Sequence, residues 1–161
     1  MTGAPMNYLD QTLLDRLSAV AKDSPRQRKN HNLHPTDDSC CHRLLNAVEP
    51  DTYIRPHRHA DPNKDESMVM VRGRMGVVAF DDDGRVKETR VVAAGGETFA
   101  VDIPHGRYHT ALSLEPGSVF FEAKAGPYRP LIAEELAPWA PEEGSPESVE
   151  YLARLKTLFI L

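Results

Sequence analysis

The triplet His57-Arg58-His59 is the first place where residue types and spacing suggest chemistry. On an extended strand, residues i and i+2 project from one face, so two imidazoles would be offered side by side while Arg58 points away. Glu66 follows at a distance that a loop can fold back, and His109 comes after Pro104-His105-Gly106-Arg107-Tyr108, a turn leading into another strand. Three imidazole nitrogens and one carboxylate oxygen suit one divalent transition metal: zinc, iron, manganese or nickel. Calcium and magnesium favour all-oxygen shells. A histidine taken singly is more often a surface or hydrogen-bonded residue; the ordered combination is what points to an ion. Such a centre could polarise a carbonyl or hydroxyl or activate water, and with iron it would suit dioxygen chemistry. Catalysis also needs an acid or base beside the ligands. His34, His105, Tyr108 and Lys29 are available for that role, with Tyr108 equally suited to a core position. Arg55 could hold a substrate carboxylate or phosphate through its guanidinium fork, whereas Arg58 reads as surface charge.

The elements that must position these groups are short. Between residues 40 and 122, strand-sized runs rich in β-branched and aromatic residues alternate with turn signals. The runs are 44–48, 53–54, 68–71, 75–80, 86–92, 98–103, 110–114 and 119–122, and Asp83-Gly84 marks a hairpin. Many short strands at close spacing indicate a sandwich or barrel. Asp10 can cap a helix over about 11–22, with Leu13, Leu14, Leu17 and Val20 as its apolar stripe. Ser145 and Pro146 can start a second helix over 146–157, striped by Val149, Leu152 and Leu155. The Pro-rich stretch after Gly126-Pro127 should wrap the barrel, pinned by Trp139. The apolar tail Leu158 to Leu161 should pack on the barrel or on another subunit. Residues 24–35 are polar and lack apolar periodicity, which predicts loop or irregular extended chain. If that stretch is extended, Asn30, Asn32 and His34 share one face. Two readings follow: it crosses the barrel mouth and supplies Lys29, Asn30, Asn32 or His34 to a substrate, or it is a structural strand extending the sheet.

The chain has 161 residues, 19 basic and 24 acidic, with a net charge of −5. The length fits one domain (1–161), divided into an N-terminal helix and polar segment (1–36), a barrel core (40–125) and a Pro-rich wrap with a C-terminal helix (126–161). Interspersed charge gives no footprint for nucleic acid. No apolar run is long enough to span a membrane, and no basic start precedes an apolar stretch, so neither a membrane segment nor a signal peptide is expected. Cys40 and Cys41 are adjacent and read as reduced thiols on opposite faces of a strand, which together suggests the cytoplasm. The expected partners are a small-molecule substrate and a second copy of the chain in a homodimer.

Glu66 is followed after six residues by Gly73, and Pro104 leads through Gly106 to His109. These resemble, in order, the two motifs of the cupin superfamily, and imply an all-β dominated cupin (double-stranded β-helix, or jelly-roll) barrel with flanking N- and C-terminal α-helices. Departures are Asp51, Thr98 and Ser113 at motif positions, and a longer stretch between His59 and Glu66. The likeness extends through Ser24-Pro25-Arg26, Arg28-Lys29-Asn30, Asn32, His34, Tyr53, Arg55-Pro56-His57-Arg58-His59, Arg72-Gly73-Arg74, Ile103-Pro104, Glu115-Pro116-Gly117, Gly126-Pro127-Tyr128 and Ala137-Pro138-Trp139. Over nearly all its length the chain resembles the WbuC family of cupin-fold metalloproteins. That resemblance implies a bound metal and, because such proteins are often encoded among bacterial surface-polysaccharide genes, action on a sugar or nucleotide-sugar as an isomerase, epimerase or lyase. A non-catalytic metal-tethered binding module and an iron-dependent dioxygenase are the alternatives.

Overall fold

Among the described residues, alternating runs between turn residues pair into eight strands, and a capped helix lies near each end. The computed structural model describes residues 3 and 5–160; Leu161, the last residue of the apolar tail, lies outside the described residues. The elements are α1 (Gln11–Asp23), β1 (Arg28–Asn32), β2 (Cys41–Val48), β3 (Glu66–Arg72), β4 (Arg74–Phe80), β5 (Val86–Ala93), β6 (Ala100–Ile103), β7 (His109–Ser113), β8 (Ser118–Ala125) and α2 (Pro146–Thr157). One sheet has the order β1-β2-β8-β3-β6 and the other β5-β4-β7, with every pairing antiparallel. This is the expected jelly-roll arrangement. The inner faces enclose Val48, Met68, Met70, Met75, Val77, Val92, Ile103, Ala111 and Phe120.

Each outer face has its own cover. Asp10 caps α1 by accepting from the Leu13 amide at 2.8 Å. Leu14, Leu17 and Ala21 then pack on Leu45, Ala47 and Val119, on the outside of the larger sheet. Ser145 caps α2, and Leu152 and Leu155 join Val78, Phe80 and Leu112 outside the smaller sheet, together with Tyr53, Tyr108, Ala137 and Ala140. The hairpin joining β4 to β5 turns at Gly84, at φ +84°, and the Trp139 ring fills the space that a Cβ there would need. The Trp139 indole donates to the Asp82 carbonyl at 3.1 Å, so this side chain pins the Pro-rich wrap as expected. Phe159 packs against Gly76 of β4, which seats that part of the tail on the barrel.

Four expectations need correction. Residues 28–32 form a strand that extends the larger sheet, the second of the two readings and not the loop, because β2 supplies backbone partners from Arg28↔Val48 to Asn32↔Leu44 whatever the side chains. A polar strand suits a sheet edge, where apolar side chains would invite further pairing. Tyr53-Ile54 belongs to no strand. In α1 Val20 is exposed and Ala21 takes its place, and in α2 Val149 is exposed at 69% while Ser148 is buried. Both misplaced valines lie at the margin of a narrow buried stripe. Cys40 precedes β2 and only Cys41 lies within it; both are free and exposed.

These faces predict a contrast within α1. Leu17→Ala should lower unfolding free energy by about 2–4 kcal/mol, whereas Val20→Ala should change it by less than about 0.5 kcal/mol, both measured by urea denaturation. Equal losses would contradict the assigned face.

Candidate metal centre

The register sets the interior in rows. Antiparallel partners share a face, so His42, Lys124, Glu66 and Ile103 form one inward row across four strands, and Asn32, Leu44, Glu122 and Met68 form the next. Glu66 therefore enters as the first residue of β3, facing inward. His109 opens β7, and its backbone exchanges two hydrogen bonds with His57 (His57 N–H to His109 O at 3.0 Å, His109 N–H to His57 O at 2.9 Å). That isolated bridge does for His57 and His59 what the sequence suggests a strand would do. Arg58, between them, turns outward and lays its guanidinium over the Tyr108 ring, 4.6 Å from the centroid.

The ligating atoms of His57, His59, Glu66 and His109 all lie within 4.8 Å of one another. The His59, Glu66 and His109 side chains are buried and His57 is half-buried. His57 Nδ1 contacts the Arg55 carbonyl and His109 Nδ1 the Arg107 carbonyl, each at 2.9 Å. A carbonyl only accepts, so each Nδ1 carries the proton and each Nε2 keeps its lone pair. His109 Nε2 lies 3.4 Å, and His59 Nε2 2.9 Å, from the same Glu66 oxygen. The His109 lone pair facing this carboxylate calls for a cation, proton or metal, between them, whereas His59 Nε2 can donate a proton of its own. That donor set fits a transition metal, with His57, His59, Glu66 and His109 to hold it. Burial, then the neighbouring His109, pushes His57 down to about 3, which favours its neutral, ligating form.

A second polar group adjoins the first. Lys124 Nζ lies 3.7 Å from Glu66 and also pairs with Glu122, whose other oxygen accepts from the Asn46 amide at 2.7 Å. Burial alone would raise Glu66, but the adjoining His109 and His59 imidazoles and the Lys124 charge hold it well below the ordinary carboxylate range. Glu122 is raised, by burial and then by the charge of Glu66. In Lys124 burial works downward, and the two carboxylates outweigh it. Sequence reasoning missed Glu122, Lys124, Asn46 and His42. Their signal was the period-2 alternation of β2 and β8, in which they fall in phase with Val48 and Phe120.

The other candidates are placed differently. Asn30 and Asn32 share the inner face of β1, exposed, with the Asn30 amide donating to Asn32 Oδ1 at 2.7 Å. Lys29 alternates to the opposite face. His34 Nδ1 accepts from the Arg43 amide at 3.2 Å, and its ring stacks on His42 at 3.9 Å; it backs the cavity wall. Tyr108 is buried in the outer cluster against Trp139. Arg55 donates from Nη2 to the Ala137 carbonyl at 3.1 Å and so braces the wrap. His105 and its own amide both meet Asp65 Oδ1 at 2.8 Å, which turns Asp65 away from the cluster.

A family model described as Domain of unknown function (DUF6016) matches residues 9–92. No curated protein sequence matches the chain. Among solved structures, KdgF from Halomonas sp. is 22% identical with a TM-score of 0.51, over 66% of this chain and 84% of that one. A conserved protein of unknown function from Streptococcus pyogenes is 14% identical with a TM-score of 0.52, over 78% and 92%. A cupin-2 domain containing protein from Shewanella frigidimarina is 18% identical with a TM-score of 0.46, over 61% and 80%. The fold is of the cupin type.

The shared ammonium predicts a stability effect in metal-free protein at neutral pH. Lys124→Met should cost about 3–5 kcal/mol, because two buried carboxylates lose their cation. Adding Glu122→Gln should recover part of that loss in urea denaturation. A double variant no more stable than the single one would show that Glu122 is not held by this charge.

Proposed function

The chain belongs to the DUF6016 family, and on that premise we propose that it is a metal-dependent cupin acting on a small polar substrate. The observation that carries the reading is the convergence of His57, His59, Glu66 and His109 within 4.8 Å. The residues suit one divalent transition metal: zinc, iron, manganese or nickel. When bound, such an ion supplies Lewis-acid polarisation of a substrate oxygen and a lowered pKa for coordinated water.

The chain's own groups do the rest. Lys124 Nζ and the Glu122 carboxylate stand beside Glu66 and are the ionisable atoms placed to hold or pass a proton near the cluster. A sugar or nucleotide-sugar substrate, in surface-polysaccharide metabolism, is the finer reading. It is supported by the resemblance to the WbuC family carried by the Arg55–His59 and Gly126–Tyr128 segments. An isomerase, epimerase or lyase reaction would use a polarised oxygen with a nearby acid or base. A second reading is a non-catalytic binding module. It is favoured by His34, His105, Tyr108 and Lys29, which hydrogen bonds, packing or strand alternation keep from serving as the acid or base. We also propose a homodimer, supported by the exposed side chains of Leu158 and Ile160, and a cytoplasmic location, supported by the free cysteines Cys40 and Cys41.

Protein purified without added metal should contain about one equivalent of a single transition metal by elemental analysis. His57→Ala and His109→Ala should each lose it, and His34→Ala should keep it. Unchanged metal in both ligand variants would refute the assignment. Light scattering at micromolar concentration should give a dimer mass; a monomer mass would remove the assembly proposal.

A further inference from the structure

We infer that the ligand of this centre carries an anionic group, a carboxylate or phosphate, and that Lys64 receives it above the metal cluster. The inference rests on the metal-centre reading and adds the substrate's charge. A cavity of about 460 Å³ lies over His57 and His59, between the loop following His59 and the segment 127–135. That is within the roughly 300–1,000 Å³ typical of small-molecule sites. The unusually long stretch between His59 and Glu66 folds as a turn, with the Lys64 amide bonded to the Asp61 carbonyl at 3.0 Å. Its extra length delivers Lys64 to the cavity wall.

The charges facing this cavity are unequally committed. Both Glu135 oxygens accept backbone amides, from Ala60 at 2.9 Å and Ile132 at 3.1 Å. Asp61 Oδ1 accepts from the Asn63 backbone and side-chain amides at 2.9 and 3.1 Å. Lys124 is shared by Glu66 and Glu122. Arg129 is exposed and lies 3.7 Å from Asp38. Lys64 is half-buried, and its ammonium makes one hydrogen bond, to the Pro127 carbonyl at 3.0 Å. Among the described residues it has no carboxylate within ion-pair distance. Two of its three donors are therefore unspent. The smaller cavity on the barrel side of the cluster, about 170 Å³, offers no such group. There the one ammonium, Lys124, is shared by two carboxylates, Glu66 and Glu122, which leaves no cationic excess, and Arg28 is bound to Glu143. An unspent ammonium facing the same space as a divalent cation favours a ligand with a negative end.

The test uses the protein as purified, with its metal measured, and calorimetry with three probes on one carbon frame: gluconate, glucose 6-phosphate and glucose. At least one anion should bind and glucose should not. Binding of gluconate alone assigns a carboxylate, of the phosphate alone a phosphate ester, and of both a site that reads charge. Lys64→Met should weaken the anion by about 10- to 100-fold with metal content unchanged, and Lys64→Arg should restore most of the affinity. Glucose binding as tightly as the anions, no binding of any probe, or unaltered anion binding by Lys64→Met overturns the inference while leaving the metal reading intact. Absence of stoichiometric metal overturns both.

Discussion

One ammonium, Lys124, stands between two buried carboxylates, Glu66 and Glu122, and the chemistry of the barrel interior is arranged around that sharing. A buried carboxylate without a counter-charge is costly, so neither Glu66 nor Glu122 could stay ionised in a dry barrel alone. With Lys124 and the imidazoles present, Glu66 is held ionised and ready to ligate. The same strand, β8, lies between β2 and β3 in the larger sheet and carries both Glu122 and Lys124. Its inner face changes along its length from apolar at Phe120 to ionic at Lys124, so one end of the barrel is a packed core and the other a charged cavity.

The outer layers make this interior possible by covering what the sheets cannot bury themselves. α1 seals the larger sheet, while α2 and the Pro-rich wrap seal the smaller one. The wrap also reaches the candidate metal centre directly: Leu136 bridges His57, and the Ala137 amide donates to the Pro56 carbonyl at 3.0 Å. The segment presenting His57 is thus held on one side by β7 and on the other by the wrap.

The sequence made some of this legible and hid the rest for physical reasons. Helix ends were readable because Asp10, Ser145 and Pro146 perform local jobs that need no tertiary partner. The convergence of His57, His59, Glu66 and His109 was readable because spacing between turns fixes which side chains can meet. β1 was legible only as one of two readings, since a polar edge strand owes its existence to hydrogen bonds with β2 and not to its own side chains. Glu122 and Lys124 were passed over because charged residues in an alternating strand ordinarily face water; only the inward neighbours Glu66 and Asn46 make their phase meaningful. His34 suits an acid or base by residue type, but its imidazole is engaged with the Arg43 backbone and with the His42 ring, both on β2, a partnership that its own sequence position does not show.

The larger sheet places β2 beside β8, so Leu44 pairs with Glu122 and Asn46 with Phe120, across most of the barrel sequence. Closing so long a loop costs chain entropy before any contact rewards it, and folds dominated by such pairings form slowly. On a ribosome, residues 41–72 emerge without the strand that will separate β2 from β3. Through that interval His57, His59 and Glu66 are present but lack His109. The full candidate ligand set therefore exists only once His109 of β7 has met His57, and an ion bound by all four groups would have to wait for that pairing.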